Sequence, residues 1–206
     1  MTSPKSKRLI WLVVLVAVVS LYFPINRMAE GGVVLETILD PSIPLAPVWV
    51  IPYLSGLFLF ILVLLWAYQK MPSAMFASFV TSNLMAAGVA YTIYLVYPTF
   101  VLRPTITGTD TLSRWMAWLY AADKAYNAFP SSHTFYTVIA WLYLWGWQPR
   151  LRIIATVMAI LIILSTLFTK QHHIPDLVVG VILGVASFWV GKKLASRSSG
   201  SPLDNS

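Results

Sequence analysis

Residues 151–191 read LRIIATVMAILIILSTLFTKQHHIPDLVVGVILGVASFWVG, two long apolar runs joined by a short polar hinge from Lys170 to Asp176. A hydrocarbon core about 30 Å thick needs about 20 helical residues, or fewer with tilt and anchoring, and both runs reach that range. Runs of the same kind occur at Leu9 to Ile25, Val48 to Tyr68, Phe76 to Tyr97 and Ser132 to Trp147, the last being the shortest. With Leu151 to Phe168 and Leu177 to Leu194 they predict an all-α membrane protein of six transmembrane helices. Composition agrees: 58% of residues are hydrophobic and 10% charged, with a mean hydropathy of +0.75, whereas soluble domains carry about 25% charged residues.

The chain has 14 Lys and Arg against 7 Asp and Glu, a net charge of +7. In a soluble domain that excess would suggest nucleic acid as a partner. Here it is spread over loops and sets orientation instead. Lys5, Lys7, Arg8, Lys70, Arg150, Arg152, Lys192, Lys193 and Arg197 fall on one side, nine residues; Arg27, Arg103, Arg114, Lys124 and Lys170 fall on the other, five. The positive-inside rule therefore places both termini in the cytoplasm. The first span has a basic start, but no small-x-small cleavage site follows before Pro24, so it reads as a retained anchor. With no cysteine, haem thiolates and cysteine-ligated zinc are excluded. Residues 1–195 form one domain, and the polar tail 196–206 is expected to be disordered.

Short connections such as QKMPS and GWQPR each carry a proline that ends or starts a helix. The opposite connections are longer. ILDPSIPLAP is too rich in proline for regular helix, and TLSRWMAWLYAADKAY reads as an interfacial helix with Trp115, Trp118 and Tyr120 at headgroup level.

Counting crossings gives a test that needs no motif. Arg103 follows the third span, His133 opens the fourth, and Lys170, His172 and His173 follow the fifth, so all share the non-cytoplasmic face. In KQHHIPD, His172 and Asp176 are four apart, and Pro175 suits a helix's first turn. Asp176 can accept a hydrogen bond from one nitrogen of His172 and leave the other as a nucleophile. It can equally serve as an acidic residue favoured at a helix N-terminus. In AFPSSH, Pro130 suits the start of a helix, where the N–H groups of Ser131 and Ser132 form an anion site and the serine hydroxyls add donors. His133 could protonate a leaving oxygen, since the unperturbed pKa of histidine, about 6.5, allows proton exchange near neutrality; the plainer reading of the stretch is a helix cap. Arg103 offers a fork matched to phosphate oxygens or, more simply, a snorkelling side chain, and Lys170 offers a point charge near His172. Fixed cations, donors and an aligned nucleophile are what phosphoryl transfer requires.

These residues resemble the type 2 phosphatidic acid phosphatase superfamily, whose three blocks are Lys-x6-Arg-Pro, Pro-Ser-Gly-His and Ser-Arg-x5-His-x3-Asp. They stand here as Arg103-Pro104, as Pro130-Ser131-Ser132-His133, and as Ser165-Thr166 followed by His172 and Asp176. The resemblance implies a lipid phosphatase or phosphotransferase. His172 would be the nucleophile that becomes phosphohistidine, Asp176 its partner and His133 the general acid and then base. Arg103 and Ser131 would be phosphate ligands, and neither metal nor cofactor is expected.

The family's first-block lysine would fall at Val96, its third-block arginine at Thr166 and its glycine at Ser132. Lys170 and Ser132 are the natural substitutes for phosphate binding, and His173 is off the motif spacing. STLFTKQH and LDPSIPLAP look like the divergent branch that includes inositol phosphorylceramide synthase-like proteins. The expected substrate is a membrane lipid phosphate in a bacterial inner membrane, acted on by hydrolysis or by transfer. A non-catalytic membrane protein using its histidines as ligands is the reading of another class.

Overall fold

The computed structural model describes residues 4–199, and among them there are eight α-helices and no strand. The first span, Lys5–Met28, is built from α1 (Pro4–Ser20) and α2 (Tyr22–Met28), separated at Leu21. Two long helices follow, α3 (Val50–Lys70) and α4 (Ser73–Val96), reversed at Met71-Pro72. Pro72 lacks an N–H, and its carbonyl accepts the N–H of Phe76, so the chain leaves one helix and enters the next with little loop. Arg8 closes this end by donating to the carbonyls of Ala67 (2.7 Å) and Met71 (2.8 Å) at the end of α3. The carbonyl of Ala67 also accepts the N–H of Met71 (3.0 Å), and a cation at this end meets the negative end of the helix dipole.

At the opposite end lie the long connections. Asp40–Ser42 and Pro47–Trp49 are 3₁₀ turns, as the proline-rich sequence requires. Gly32 has φ +120°, and a Cβ there would lie 2.3 Å from the carbonyl oxygen of Pro98. Only glycine lets the first outer loop run this close to the second, where Val33 donates to Pro98 (3.0 Å) and Phe100 to Val33 (3.1 Å). The interfacial helix is α5 (Thr111–Ala122), capped by Asp110, which accepts from the N–H groups of Leu112 and Ser113. Its Met116 and Leu119 are buried with Val50 and Tyr53 of the α3 end, while Trp115 and Trp118 stay exposed.

The remaining helices are α6 (Ser132–Trp147), α7 (Arg152–Phe168) and α8 (Ile174–Ser199). α8 packs most extensively on α4 and next on α6. Half of the apolar window of α4 is buried, against 11% for the first span, so α4 is central and α1 peripheral. The core runs through Phe76, Phe79, Val80, Ala87, Phe135, Ile139 and Tyr143. Exposed Val13, Leu57, Ile61, Ile153 and Ile182 form an outer surface suited to lipid.

Gly180 and Gly184, one turn apart on α8, set the contact with α6. A Cβ at Gly180 would lie 2.9 Å from Cβ of Thr134, and one at Gly184 would lie 2.9 Å from Cβ of Val138. Small residues at this spacing let two helix backbones approach closely, which dispersion rewards in a bilayer.

Among the described residues five helical segments are long and apolar enough to cross a membrane: Lys5–Met28, Pro47–Lys70, Ser73–Val96, Pro149–Phe168 and Ile174–Ala195. The chain is an integral membrane protein. The expected fourth span coincides with α6, whose 16 residues rise about 24 Å and fall short of that length. α8 extends to Ser199, and the rest of the expected tail, 200–206, lies outside the described residues.

Candidate active site

His172 lies in the turn between α7 and α8. That turn is held by the carbonyl of Thr166, which accepts the N–H groups of both Gln171 (3.0 Å) and His172 (3.1 Å) at the end of α7. Lys170, with φ +52°, takes the left-handed conformation that terminates many helices. α8 then begins with a reciprocal cap, since Asp176 Oδ2 accepts the N–H of His173 at 2.8 Å. Asp176 is fully buried, and its Oδ2 is also 3.5 Å from Nδ1 of His172. Asp176 thus bonds at the start of the helix and also faces His172, but at a distance longer than the hydrogen bond expected from the spacing.

The stronger partner of that imidazole is different. Nδ1 of His172 lies 2.9 Å from the carbonyl oxygen of Ala128. A carbonyl only accepts, so Nδ1 carries the proton and Nε2 keeps its lone pair. Asp176 Oδ1, buried and without a hydrogen-bond partner, supplies negative charge that becomes favourable when the ring turns cationic.

The segment before α6 is tied to the same place. Ser131 donates its N–H to the carbonyl of Asp176 (3.0 Å), and its Oγ caps α6 by accepting from Thr134 N (3.3 Å) and Thr134 Oγ1 (3.0 Å). The N–H of Ser131 is therefore committed to the protein rather than pointing outward. Phe129 donates to Thr99 Oγ1 (2.9 Å), and Tyr94 donates to the carbonyl of Pro130 (2.7 Å), so the loop is held from both sides. Two residues after Ser131, the ring of His133 stacks on Tyr53, with centroids 4.2 Å apart. His133 lies within electrostatic range of His172.

Arg103 reaches this end from the second outer loop. Its guanidinium donates to the carbonyls of Asp123 (2.6 Å) and Lys124 (3.3 Å), donates to Gln171 Oε1, and lies 4.9 Å above the ring of Tyr120. Gln171 precedes His172, so this bond ties the guanidinium to the histidine turn. Burial pushes the Tyr120 hydroxyl up to about 12 against the opposing pull of Arg103. Burial also raises the carboxyl of Asp123, with Arg103 again opposing.

Lys170 turns elsewhere, its Nζ donating to the carbonyl of Asp40 at 3.0 Å. The positions of the two missing motif cations hold no substitute. Val96 is exposed at the end of α4, and Ser165 and Thr166 return their hydroxyls to Ile162 (2.6 Å) and Ile163 (2.7 Å) within α7.

Ser132 and His133 border a cavity of about 230 Å³ between α1, α2, α3, α4, α5 and α6. Its walls are otherwise mainly apolar or aromatic, including Leu57, Phe60, Tyr91 and Leu119, and Asp123 is the one carboxylate on them. A second cavity of about 210 Å³ follows α3, α6 and α7 and shares Gly56, Phe60 and Thr137 with the first. Among the described residues no three His, Asp or Glu side chains gather as a metal site.

The structure therefore brings Arg103, Ser131, Ser132, His133, His172 and Asp176 to one end of the bundle and aims Lys170 at the first outer loop. Sequence reading missed Gln171, Tyr53 and Asp40. Only Gln171 had a local signal, its place beside His172; the other two come from elements remote in the chain.

Asp40 is 3% exposed and behaves as a clamp. Its Oδ1 accepts the N–H of Ile174 (2.9 Å) and lies 3.6 Å from Nδ1 of His173, while Oδ2 accepts from Thr37 N (2.7 Å) and Thr37 Oγ1 (2.6 Å). Burial alone would raise this carboxyl, but the bonds from Thr37 and Ile174 and the nearby His173 hold it below its ordinary value of 3.8. A depressed carboxyl stabilises the fold above its unfolded pKa, and that contribution disappears as pH falls through the folded value. Asp40→Ala is expected to cost about 1–3 kcal/mol at neutral pH, read by thermal melting in detergent. The difference between wild type and Asp40→Asn should narrow below about pH 4; an unchanged difference down to pH 2 would show that the charge of Asp40 is irrelevant.

No curated protein and no solved structure matches the chain. The family model of the PAP2 superfamily matches residues 91–199, from the last turns of α4 through α8. That stretch is more than half of the chain and contains Arg103, Ser131, His133, His172 and Asp176, and the protein belongs to the PAP2 superfamily.

Proposed function

We propose that this protein is a lipid phosphate phosphatase that works through a phosphohistidine on His172. The observation that carries the reading is the Nδ1 contact of His172 with the Ala128 carbonyl, which leaves Nε2 as the basic nitrogen. Membership of the superfamily places the activity among phosphatases and phosphotransferases acting on lipid-like substrates in a bilayer.

In the first step the Nε2 lone pair attacks phosphorus. The bond from phosphorus to the lipid oxygen breaks in line, and His133 gives its proton to the departing alkoxide. The imidazole now carries phosphate on Nε2 and a proton on Nδ1, and the cationic charge is stabilised by Asp176 and the Ala128 carbonyl. In the second step His133 takes a proton from water as its oxygen attacks phosphorus, the N–P bond breaks, and phosphate leaves. Arg103 holds the equatorial oxygens, with the hydroxyl protons of Ser131 and Ser132 as further donors. Lys170 contributes through the field near the turn rather than as a direct ligand, given its bond to Asp40.

A second reading, transfer to an alcohol as in inositol phosphorylceramide synthase-like proteins, is favoured by one observation. The cavity beside His133 is walled mainly by apolar and aromatic residues, so a lipid alcohol fits the acceptor position as well as water does. The same reading of the fold makes α6 a sixth, protein-surrounded crossing, with both termini cytoplasmic and the site on the outer face of a bacterial inner membrane.

The test uses the full-length protein in vesicles sorted by protease access to a C-terminal tag, supplied with phosphatidic acid, phosphatidylglycerol phosphate or undecaprenyl diphosphate. Phosphate release at the face opposite the tag is the expected result. Label appearing in a second lipid would indicate transfer, and no turnover of any lipid would refute the enzyme reading.

A further inference from the structure

Asp123 has no part in the mechanism above, yet its carboxyl borders the cavity together with Ser132 and His133. It is held there by Tyr22, whose single hydroxyl proton is shared between Oδ1 (3.1 Å) and Oδ2 (3.2 Å). Its backbone carbonyl is fixed as well, by Arg103 at 2.6 Å. A carboxylate accepts up to about four hydrogen bonds, so one shared proton leaves acceptor capacity at a residue that lines the cavity. A carboxylate beside a phosphate site also repels the substrate's own charge. Both penalties are relieved by a ligand that brings a donor to this point.

His133, in the reading above, protonates the alcohol that leaves and deprotonates the group that enters, so the alcohol passes beside it and hence beside Asp123. The apolar walls there suit an alcohol with a long hydrocarbon chain. We propose that Asp123 is a specificity-determining residue that accepts a hydrogen bond from a free hydroxyl carried by the lipid alcohol close to its phosphoester oxygen. The preferred substrate class is then a lipid phosphate with a hydroxyl near the ester, as in a lysoglycerophosphate or an N-acylated sphingoid phosphate. Fully esterified phosphatidate lacks that hydroxyl.

This assignment rests on the phosphatase reading, and the experiment separates the two. Wild-type protein is assayed on chain-matched pairs: lysophosphatidate against hexadecyl phosphate, and ceramide phosphate against phosphatidate. The first member of each pair carries the hydroxyl, and the two pairs distinguish a glycerol from a sphingoid source.

A kcat/KM preference of roughly tenfold for the hydroxyl-bearing lipid is expected in at least one pair, the scale of one hydrogen bond to a charged group. Asp123→Ala should bring that ratio to within about twofold, and the isosteric Asp123→Asn should reduce it at least about threefold. Because each ratio is taken within one preparation, partial misfolding cancels. Equal rates within both wild-type pairs, or ratios unchanged in both variants, would overturn the role of Asp123 while leaving the phosphatase reading intact. Failure of wild type on all four lipids would overturn both.

Discussion

His172→Asn is expected to lower turnover of any lipid phosphate on the order of 10⁴- to 10⁶-fold, the range seen when a covalent nucleophile is removed. Asparagine retains an N–H for the Ala128 carbonyl and fits the turn, so the protein should fold. What it lacks is a basic nitrogen in line with phosphorus. Rapid quench in alkaline detergent after mixing with lipid labelled at phosphorus should therefore trap label that is stable in base and lost in acid on wild type, and none on the variant. Retention of the trapped label would move the nucleophile elsewhere, and His173 would be next to examine because its Nε2 is buried without a partner.

His133→Ala carries the second large effect, a loss of about 10²- to 10⁴-fold on lipid substrates, the usual contribution of general acid–base catalysis. Its signature is dependence on the leaving group. An alkoxide needs a proton to depart, whereas a nitrophenolate does not, so an activated aryl phosphate should form phosphoenzyme on the variant at a rate near that of wild type. The intermediate should then persist, since His133 is also the base for the second step. Equal losses with alkyl and aryl phosphates would instead assign His133 to positioning, through its stacking on Tyr53.

Much of the architecture was legible in the chain because bilayer physics acts on composition over long windows. Apolar runs of about 20 residues have one outcome in hydrocarbon, and the helices appear where those runs are. The interfacial helix was legible for a related reason, because Asp110 caps a segment whose tryptophans suit headgroup level. Ser132–Trp147 was the less determined case: its 16 residues form a helix whose buried stripe, Phe135, Val138, Ile139 and Tyr143, answers to neighbouring helices as well as to lipid. At that length, surroundings count for more than the run itself.

The candidate site divides along the same line. Spacing alone placed Asp176 close to His172, since the four-residue interval runs locally from the turn into the first turn of α8. Parity of crossings, counted over six spans, led to the expectation that Arg103, His133 and His172 share one face, without any knowledge of packing. Three things depended on tertiary structure: the Ala128 carbonyl as the closest partner of His172, the diversion of Lys170 to Asp40, and the setting of Asp123 in the cavity wall. Each joins residues from different elements, 44, 130 and 101 positions apart for His172–Ala128, Lys170–Asp40 and Asp123–Tyr22. Those distances follow from how closely α6 and α8 approach at Gly180 and Gly184 and from where the outer loops settle. Sequence by itself determined where the long helices run and that Asp176 follows His172 closely, because both depend on residues near one another in the chain. Which atoms touch was decided by close packing, because a hydrogen bond tolerates an error of only a few tenths of an ångström.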